Sequence, residues 1–174
     1  SYPELDLHCL AYRPKGGTPS NEDQARDMIG KVSGDAAEAR ASATVRFLNT
    51  HPQSTGKVGA IGFCWGGGLV NRLAAGEPTL KAGVSYYGGQ IPAARVASIK
   101  AALLLHYAGL DQRINAGIAD YKAALDQAKI RYEMFTYDGV DHAFNNDTNA
   151  ARYNKDAADL AWSRSMAFLK KELG

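Results

Sequence analysis

The sequence predicts an α/β protein: a three-layer sandwich on a mostly parallel sheet, folded as a single domain over residues 1–174. Three observations carry this. From residue 57 onward, short apolar runs alternate with segments of helical periodicity, the pattern of strands joined by crossover helices. One run, AALLLHY at 101–107, is apolar throughout, as in a parallel strand covered on both faces. The length of 174 residues, 45% apolar and 22% charged, is ordinary for one globular domain with one core.

Leu5, Leu7 and Cys9 alternate loosely and predict a short strand near 5–12, followed by the loop Arg13-Pro14-Lys15-Gly16-Gly17. A helix follows from Ser20 or Asn21 as N-cap, with Glu22 and Asp23 in its first turn, to about Lys31. A second helix starts at Asp35, carries Ala37, Ala41, Thr44, Val45 and Leu48 on one face, and is closed by Pro52. Residues 57–63, KVGAIGF, read as a buried strand, followed by the turn Cys64-Trp65-Gly66-Gly67-Gly68 and a short helix, LVNRLAAG. AGVSYY (82–87) is the next strand, and a weak helix covers 93–99. After AALLLHY come a helix at 115–128 with Ile118, Tyr121, Leu125 and Ala128 inward, and the strand IRYEMFTY at 130–137. The final helix, 153–172, places Ala158, Ala161, Trp162, Ser165, Leu169 and Leu173 on one side, with Trp162 in the core. Crossovers between parallel strands are right-handed, and a site is expected beyond the C-terminal strand ends.

Composition excludes several classes. Twenty Lys and Arg against 18 Asp and Glu leave a net charge of +2, too little for a nucleic-acid partner. No apolar run approaches the roughly 20 residues that span a bilayer, so no membrane role is expected. The opening residues do not read as a signal peptide, and the two cysteines, Cys9 and Cys64, read as reduced thiols of a cytoplasmic protein. Asp138, Asp141, His142 and Asp147 match no metal-ligand spacing, and neither a dinucleotide fingerprint nor a phosphate-binding loop is present, so no metal or cofactor is expected. His106, inside an apolar strand, reads as a satisfied core histidine.

The chemistry-bearing signal is Gly62-Phe63-Cys64-Trp65-Gly66, where a strand becomes a helix. A nucleophile on so sharp a turn needs small neighbours, and the helix start favours a thiolate. Asp111 follows the strand AALLLHY and His142 follows IRYEMFTY, so all three residues fall on one rim of the sheet. Taken singly, Asp111 reads equally well as a helix cap and His142 as a solvated loop residue. Taken together, their order (nucleophile, acid, histidine) is that of an α/β-hydrolase.

These residues resemble the dienelactone hydrolase family, a branch of the α/β-hydrolases with cysteine where most relatives use serine. The resemblance is carried by GFCWGGG (62–68), SYYGG (85–89), HYAGLDQRIN (106–115) and DHAFNND (141–147), and runs from about Gly16 to the C-terminus. It implies Cys64 as nucleophile, His142 as base, Asp111 as the acid that orients it, and the backbone N–H of Trp65 as an oxyanion donor. Tyr86, Tyr87 and Arg152 are expected near a small ester or lactone substrate. It also implies a Cys64 thiol acidified by His142, and therefore fast alkylation at pH 6.

The sequence departs from the family in two ways. Only 63 residues precede Cys64, with at most one strand among them, so the α/β-hydrolase fold is expected in an N-terminally abbreviated form. The loop that supplies the second oxyanion donor, and the glutamate that contacts the resting cysteine, are not found. The arginine that follows the histidine by four positions is here Asn146, leaving Arg13 and Arg152 as candidates for a substrate carboxylate. An abbreviated sheet exposes the nucleophile strand, which a second copy, as a homodimer, or residues 1–20 are expected to cover. The alternatives to a hydrolase are a non-catalytic binding or assembly domain and an acyltransferase using the same triad.

Overall fold

The four apolar runs form one sheet of parallel strands: β1 (Gly59–Phe63), β2 (Ala82–Tyr86), β3 (Ala102–Ala108) and β4 (Tyr132–Tyr137), in the spatial order β1-β2-β3-β4. The computed structural model describes Gln24, Asp27, Met28, Gly30 and residues 31–174. The expected strand at 5–12, the caps Ser20 and Asn21, and Arg13 lie outside the described residues. Gln24, Asp27, Met28 and Gly30 are helical, within the helix expected there.

The described helices are α1 (Gly34–Thr50), α2 (Trp65–Gly76), α3 (Ala93–Val96), α4 (Gln112–Asn115), α5 (Ile118–Gln127) and α6 (Lys155–Leu173). Ser33 caps α1 by accepting the Ala36 N–H, and Asn154 caps α6 by accepting that of Ala157. When strands follow one another in spatial order, right-handed crossovers put every connecting helix on the same face. The core obeys this. One cluster joins Val45 of α1, Leu73 of α2, Val96 of α3 and Leu125 of α5 to Leu103, Leu105 and Tyr107 of β3. The opposite face is covered by α6, whose Ala158, Ala161 and Phe168 meet Val84, Tyr86, Ala102 and Leu104.

Several expectations need correction. Trp162 is 45% exposed; the inward stripe of α6 is Ala157, Ala158, Ala161, Ser165 and Phe168. The helix expected at 115–128 is α5, which starts three residues later than read, and a short helix, α4, precedes it across Ala116 and Gly117. The turn after Cys64 is shorter than expected, because Trp65 and the three glycines already form the first turn of α2. Thr44 is solvent-exposed, its hydroxyl turned back to the Arg40 carbonyl, and Ser42 takes the buried place on α1.

Among the described residues β1 is an edge strand, and its outer side chains Ile61 and Phe63 remain 37% and 38% exposed. No described helix is long and apolar enough to cross a membrane.

One row of rings runs across the sheet. Phe63 pairs with Tyr86, Tyr86 with His106, and His106 with Phe135. Ring centroids along the row are 4.6, 4.5 and 6.2 Å apart, and the Arg164 guanidinium lies 3.8 Å over Phe135. The buried hydrogen bonds fix every proton in this row. Arg164 can only donate, and does so to the Tyr137 hydroxyl (3.1 Å). Tyr137 therefore donates to His106 Nδ1 (2.9 Å), and His106 Nε2–H donates to Ser165 Oγ (3.0 Å). Tyr86 also donates to Ser165 Oγ (2.8 Å), which passes its own hydrogen to the Ala161 carbonyl (2.9 Å). His106 is thus a satisfied core histidine.

Burial, reinforced by the Arg164 charge, pushes His106 down to about 3. Its pKa in the unfolded chain is about 6.5, so below that pH the unfolded state binds a proton that the folded state refuses. Stability contributed by neutral His106 is complete above pH 6.5 and is lost progressively as pH falls toward 3. Urea denaturation between pH 7 and 4 should show a loss of up to about 1.4 kcal/mol per pH unit from this group. His106→Gln should be less stable at pH 7 but lose stability less steeply on acidification; equal slopes would contradict the assignment.

Candidate active site

The elbow at Cys64 is forced by packing. A Cβ on Gly62 would sit 2.1 Å from the Gly66 carbonyl oxygen, and one on Gly67 would sit 2.6 Å from that of Tyr86. Only glycine permits these approaches. Cys64 itself has φ 53°, an unusual conformation for a residue with a side chain, held by its N–H on the Tyr86 carbonyl (3.0 Å). The residue caps α2 without a side-chain hydrogen bond, so its thiol stands at the start of a 12-residue helix.

Asp111 and His142 meet because their loops are tied together. Gly109 N–H donates to the Tyr137 carbonyl (2.8 Å) and Leu110 N–H to that of Val140 (3.0 Å). Asn115 Nδ2 holds the acid loop from the other side through the carbonyls of Ala108 and Gly109. Asp111 then serves two partners at once. Its Oδ1 accepts the Ile114 N–H (3.2 Å), capping α4, and its Oδ2 accepts His142 Nδ1–H at 2.5 Å. Asp111 thus caps α4 and bonds His142 at the same time. With Nδ1 carrying the hydrogen, Nε2 of neutral His142 keeps a lone pair for a proton.

These two residues line an open cleft of about 400 Å³ with Leu110, Gln112, Arg113, Asp141 and Arg152. Arg152, expected near a substrate, lies here. Arg113, which sequence reasoning passed over, lies here too; its place two residues after Asp111 was the only available signal. Tyr86 and Tyr87 do not line the cleft: both are buried, with the Tyr87 ring against that of His142. The Trp65 ring is half exposed, and its backbone amide opens α2.

The Cys64 thiol and the His142 ring share no hydrogen bond in this structure. Burial pushes the Cys64 thiol up, and the Asp111 carboxylate raises it further; Arg113 and Arg152 pull the other way without prevailing. This reverses the expectation of an acidified thiol, because burial, with the Asp111 carboxylate, outweighs the lowering influences and no hydrogen bond joins the thiol to the histidine. No group of His, Cys, Asp and Glu among the described residues could hold a metal ion.

Similarity to known proteins fits this geometry. The sequence profile of the dienelactone hydrolase family matches residues 11–173. The chain belongs to the dienelactone hydrolase family. A "Putative carboxymethylenebutenolidase" of Saccharolobus solfataricus is 39% identical over 120 residues, 68% of this chain and 46% of that protein. A "Probable 2-oxo-3-(5-oxofuran-2-ylidene)propanoate lactonase" of Bradyrhizobium sp is 30% identical over 97% of this chain and 71% of its own length. The crystal structure of a "Putative Dienelactone Hydrolase" from Klebsiella pneumoniae superposes with a TM-score of 0.75 at 25% identity, over 86% of this chain and 66% of that one. The chain thus spans about half the length of its Saccharolobus relative, and its parallel sheet with helices on both faces has the α/β-hydrolase fold.

Iodoacetamide should alkylate Cys64 more slowly than a free cysteine at pH 7, with the rate still rising above the pH where the free thiol has levelled off. Asp111→Asn removes a charge that raises the thiol and should speed the reaction at pH 7. Fast labelling at pH 6 would contradict the buried-thiol description.

Proposed function

We propose that this chain hydrolyses lactones or activated esters through Cys64, His142 and Asp111. The observation that carries the reading is the 2.5 Å bond between His142 Nδ1 and Asp111 Oδ2, at the rim where the Cys64 elbow ends β1. A carboxylate that fixes the tautomer leaves Nε2 as a base and supports the imidazolium that follows.

In this reading the resting thiol is neutral. When substrate enters, the Cys64 S–H proton passes to His142 Nε2, and the sulfur lone pair attacks the acyl carbon. The carbonyl oxygen becomes an oxyanion and accepts the backbone N–H of Trp65, a donor worth roughly 3 kcal/mol in the transition state. The C–O bond to the leaving group breaks, and the leaving oxygen takes the proton from His142. Water, deprotonated by the same Nε2, then attacks the thioester and releases the acid, and the proton returns to sulfur. Each proton transfer by a placed histidine contributes on the order of 10²–10⁴ in rate. Every step uses groups of the chain and water alone.

Arg113 and Arg152 flank the cleft and favour substrates with an acidic group beside the reacting carbonyl. A thiolate reacts readily with activated acyl groups and poorly with amides, so lactones with a stabilised enolate leaving group suit it. The names carried by relatives, carboxymethylenebutenolidase and lactonase, support the same substrate class. Tyr86 and Tyr87, both buried, act in this reading by support rather than by contact with substrate. The exposed edge at Ile61 and Phe63 is where the expected second copy would dock, and a cytoplasmic location remains part of the proposal.

A non-catalytic role is favoured by one observation: no hydrogen bond joins the Cys64 thiol to the His142 ring, and burial pushes the thiol up. Hydrolysis of p-nitrophenyl acetate separates the two. The wild type should turn over, Cys64→Ala should fall to background, and Asp111→Asn should lose about 10²-fold or more in kcat. Equal rates for the wild type and Cys64→Ala would support the binding role instead.

A further inference from the structure

Three of the four described non-glycine residues with positive φ meet at the site: Cys64 at 53°, Tyr87 at 39° and Ala143 at 68°. The first is the elbow. The other two belong to one buried cluster, and their strain has a common consequence. Tyr87 follows β2, and its N–H is held by the His106 carbonyl at 2.7 Å. A bulky aromatic residue with positive φ is an outlier in any protein, and such outliers cluster where the surrounding structure needs them.

The turn sends the Tyr87 ring beneath the loop that carries His142. Its centroid lies 4.9 Å from the imidazole and 5.4 Å, edge-on, from the ring of Phe144. Only 2% of the residue is exposed, and its hydroxyl oxygen interacts with the backbone N–H of Asn145. One side chain therefore touches three residues of the 142–145 loop. Tyr86, its neighbour of the same chemistry, points into the aromatic row and donates to Ser165.

Asp111 holds His142 by a single hydrogen bond. One bond fixes one atom of the ring; the Tyr87 ring, tilted 54° against the imidazole, limits how far it can swing about that bond. Ala143, directly after His142, sits in a left-handed conformation that alanine does not favour, so the loop is held in place by its surroundings. Accepting His142 as the base of the proposed hydrolase, we propose that Tyr87 is a positioning residue whose ring holds the His142 imidazole in line with Asp111. The hydroxyl serves the loop backbone and is secondary. Burial, and next to it the nearby Cys64, push the Tyr87 phenol up, so it stays neutral throughout the working pH range.

The test reads the imidazole itself. In protein labelled with 15N-histidine, the His142 Nδ1 proton in its short bond to Asp111 gives a far-downfield resonance, assigned by its loss in Asp111→Asn. Tyr87→Phe keeps the ring and should keep this signal. Tyr87→Leu should abolish it or speed its exchange with solvent by about tenfold or more, and should lower kcat with KM near the wild-type value. A folded Tyr87→Leu protein with the wild-type signal, even at lowered thermal stability, would reduce Tyr87 to a structural role and overturn the proposal. Loss of the signal in Tyr87→Phe would overturn the assignment to the ring, and this holds even if Tyr87→Leu does not fold. The resonance is read without turnover, so an inactive wild type would defeat the hydrolase reading while leaving this inference tested separately.

Discussion

The structure depends on one level row across the sheet. Phe63, Tyr86, His106 and Phe135 stand side by side on four parallel strands, bound by ring contacts and by a buried chain of hydrogen bonds from Arg164 to the Ala161 carbonyl. The site begins just above it. Cys64 is the residue after Phe63, and Tyr87 the residue after Tyr86; Asp111 and His142 follow within the loops that leave β3 and β4. The Tyr86 carbonyl accepts the Cys64 N–H and the His106 carbonyl that of Tyr87, so the row sets the height at which each stands. A polar network this deep is stabilising only when every member is satisfied, and here the donor-only guanidinium at one end and the acceptor-only carbonyl at the other leave a single arrangement of hydrogens.

Above the row, the electrostatics favour a silent resting state. Burial and the Asp111 carboxylate both keep the Cys64 proton on sulfur, while Arg113 and Arg152 lean the other way. A neutral thiol is protected from adventitious alkylation and oxidation, since the thiolate is the reactive species. In the proposed reaction an acidic substrate group would occupy the arginines, and the proton would leave sulfur only with the imidazole base in place. Asp111 couples these parts, because the carboxylate that orients His142 also caps α4 and opposes ionisation of the thiol.

What was legible in the sequence was local. The pattern Gly62-Phe63-Cys64-Trp65-Gly66 is a steric statement, and the 2.1 Å approach at Gly62 is its physical content. Asp111 and His142 were legible because each follows an apolar run that can only be a strand, and parallel strands end on one rim. What was not legible depends on how elements meet. On α6, Ala158, Ala161 and Ser165 face the sheet as their spacing says, but Trp162 at the border of the stripe turns to solvent and Phe168 fills the core instead, because helical spacing alone does not say where the buried arc ends. Arg113 and Tyr87 owe their places to the tie between the 109–110 and 137–140 loops and to a positive φ, neither of which has a sequence signature. The high pKa of Cys64 follows from burial, which no motif encodes. Among the described residues β1 lies at the sheet edge, with Ile61 and Phe63 partly exposed.

In the proposed reaction the acyl group of the substrate is carried for a moment on Cys64. The most direct measurement is mass spectrometry of the intact protein and its peptides after acid quench during turnover of an activated ester. The account predicts one added acyl group, mapped to the peptide that contains Cys64, which vanishes on treatment with hydroxylamine and accumulates in His142→Ala if that variant still acylates. Turnover with no acyl adduct at any time point, or an adduct on another residue that persists in Cys64→Ala, would contradict it.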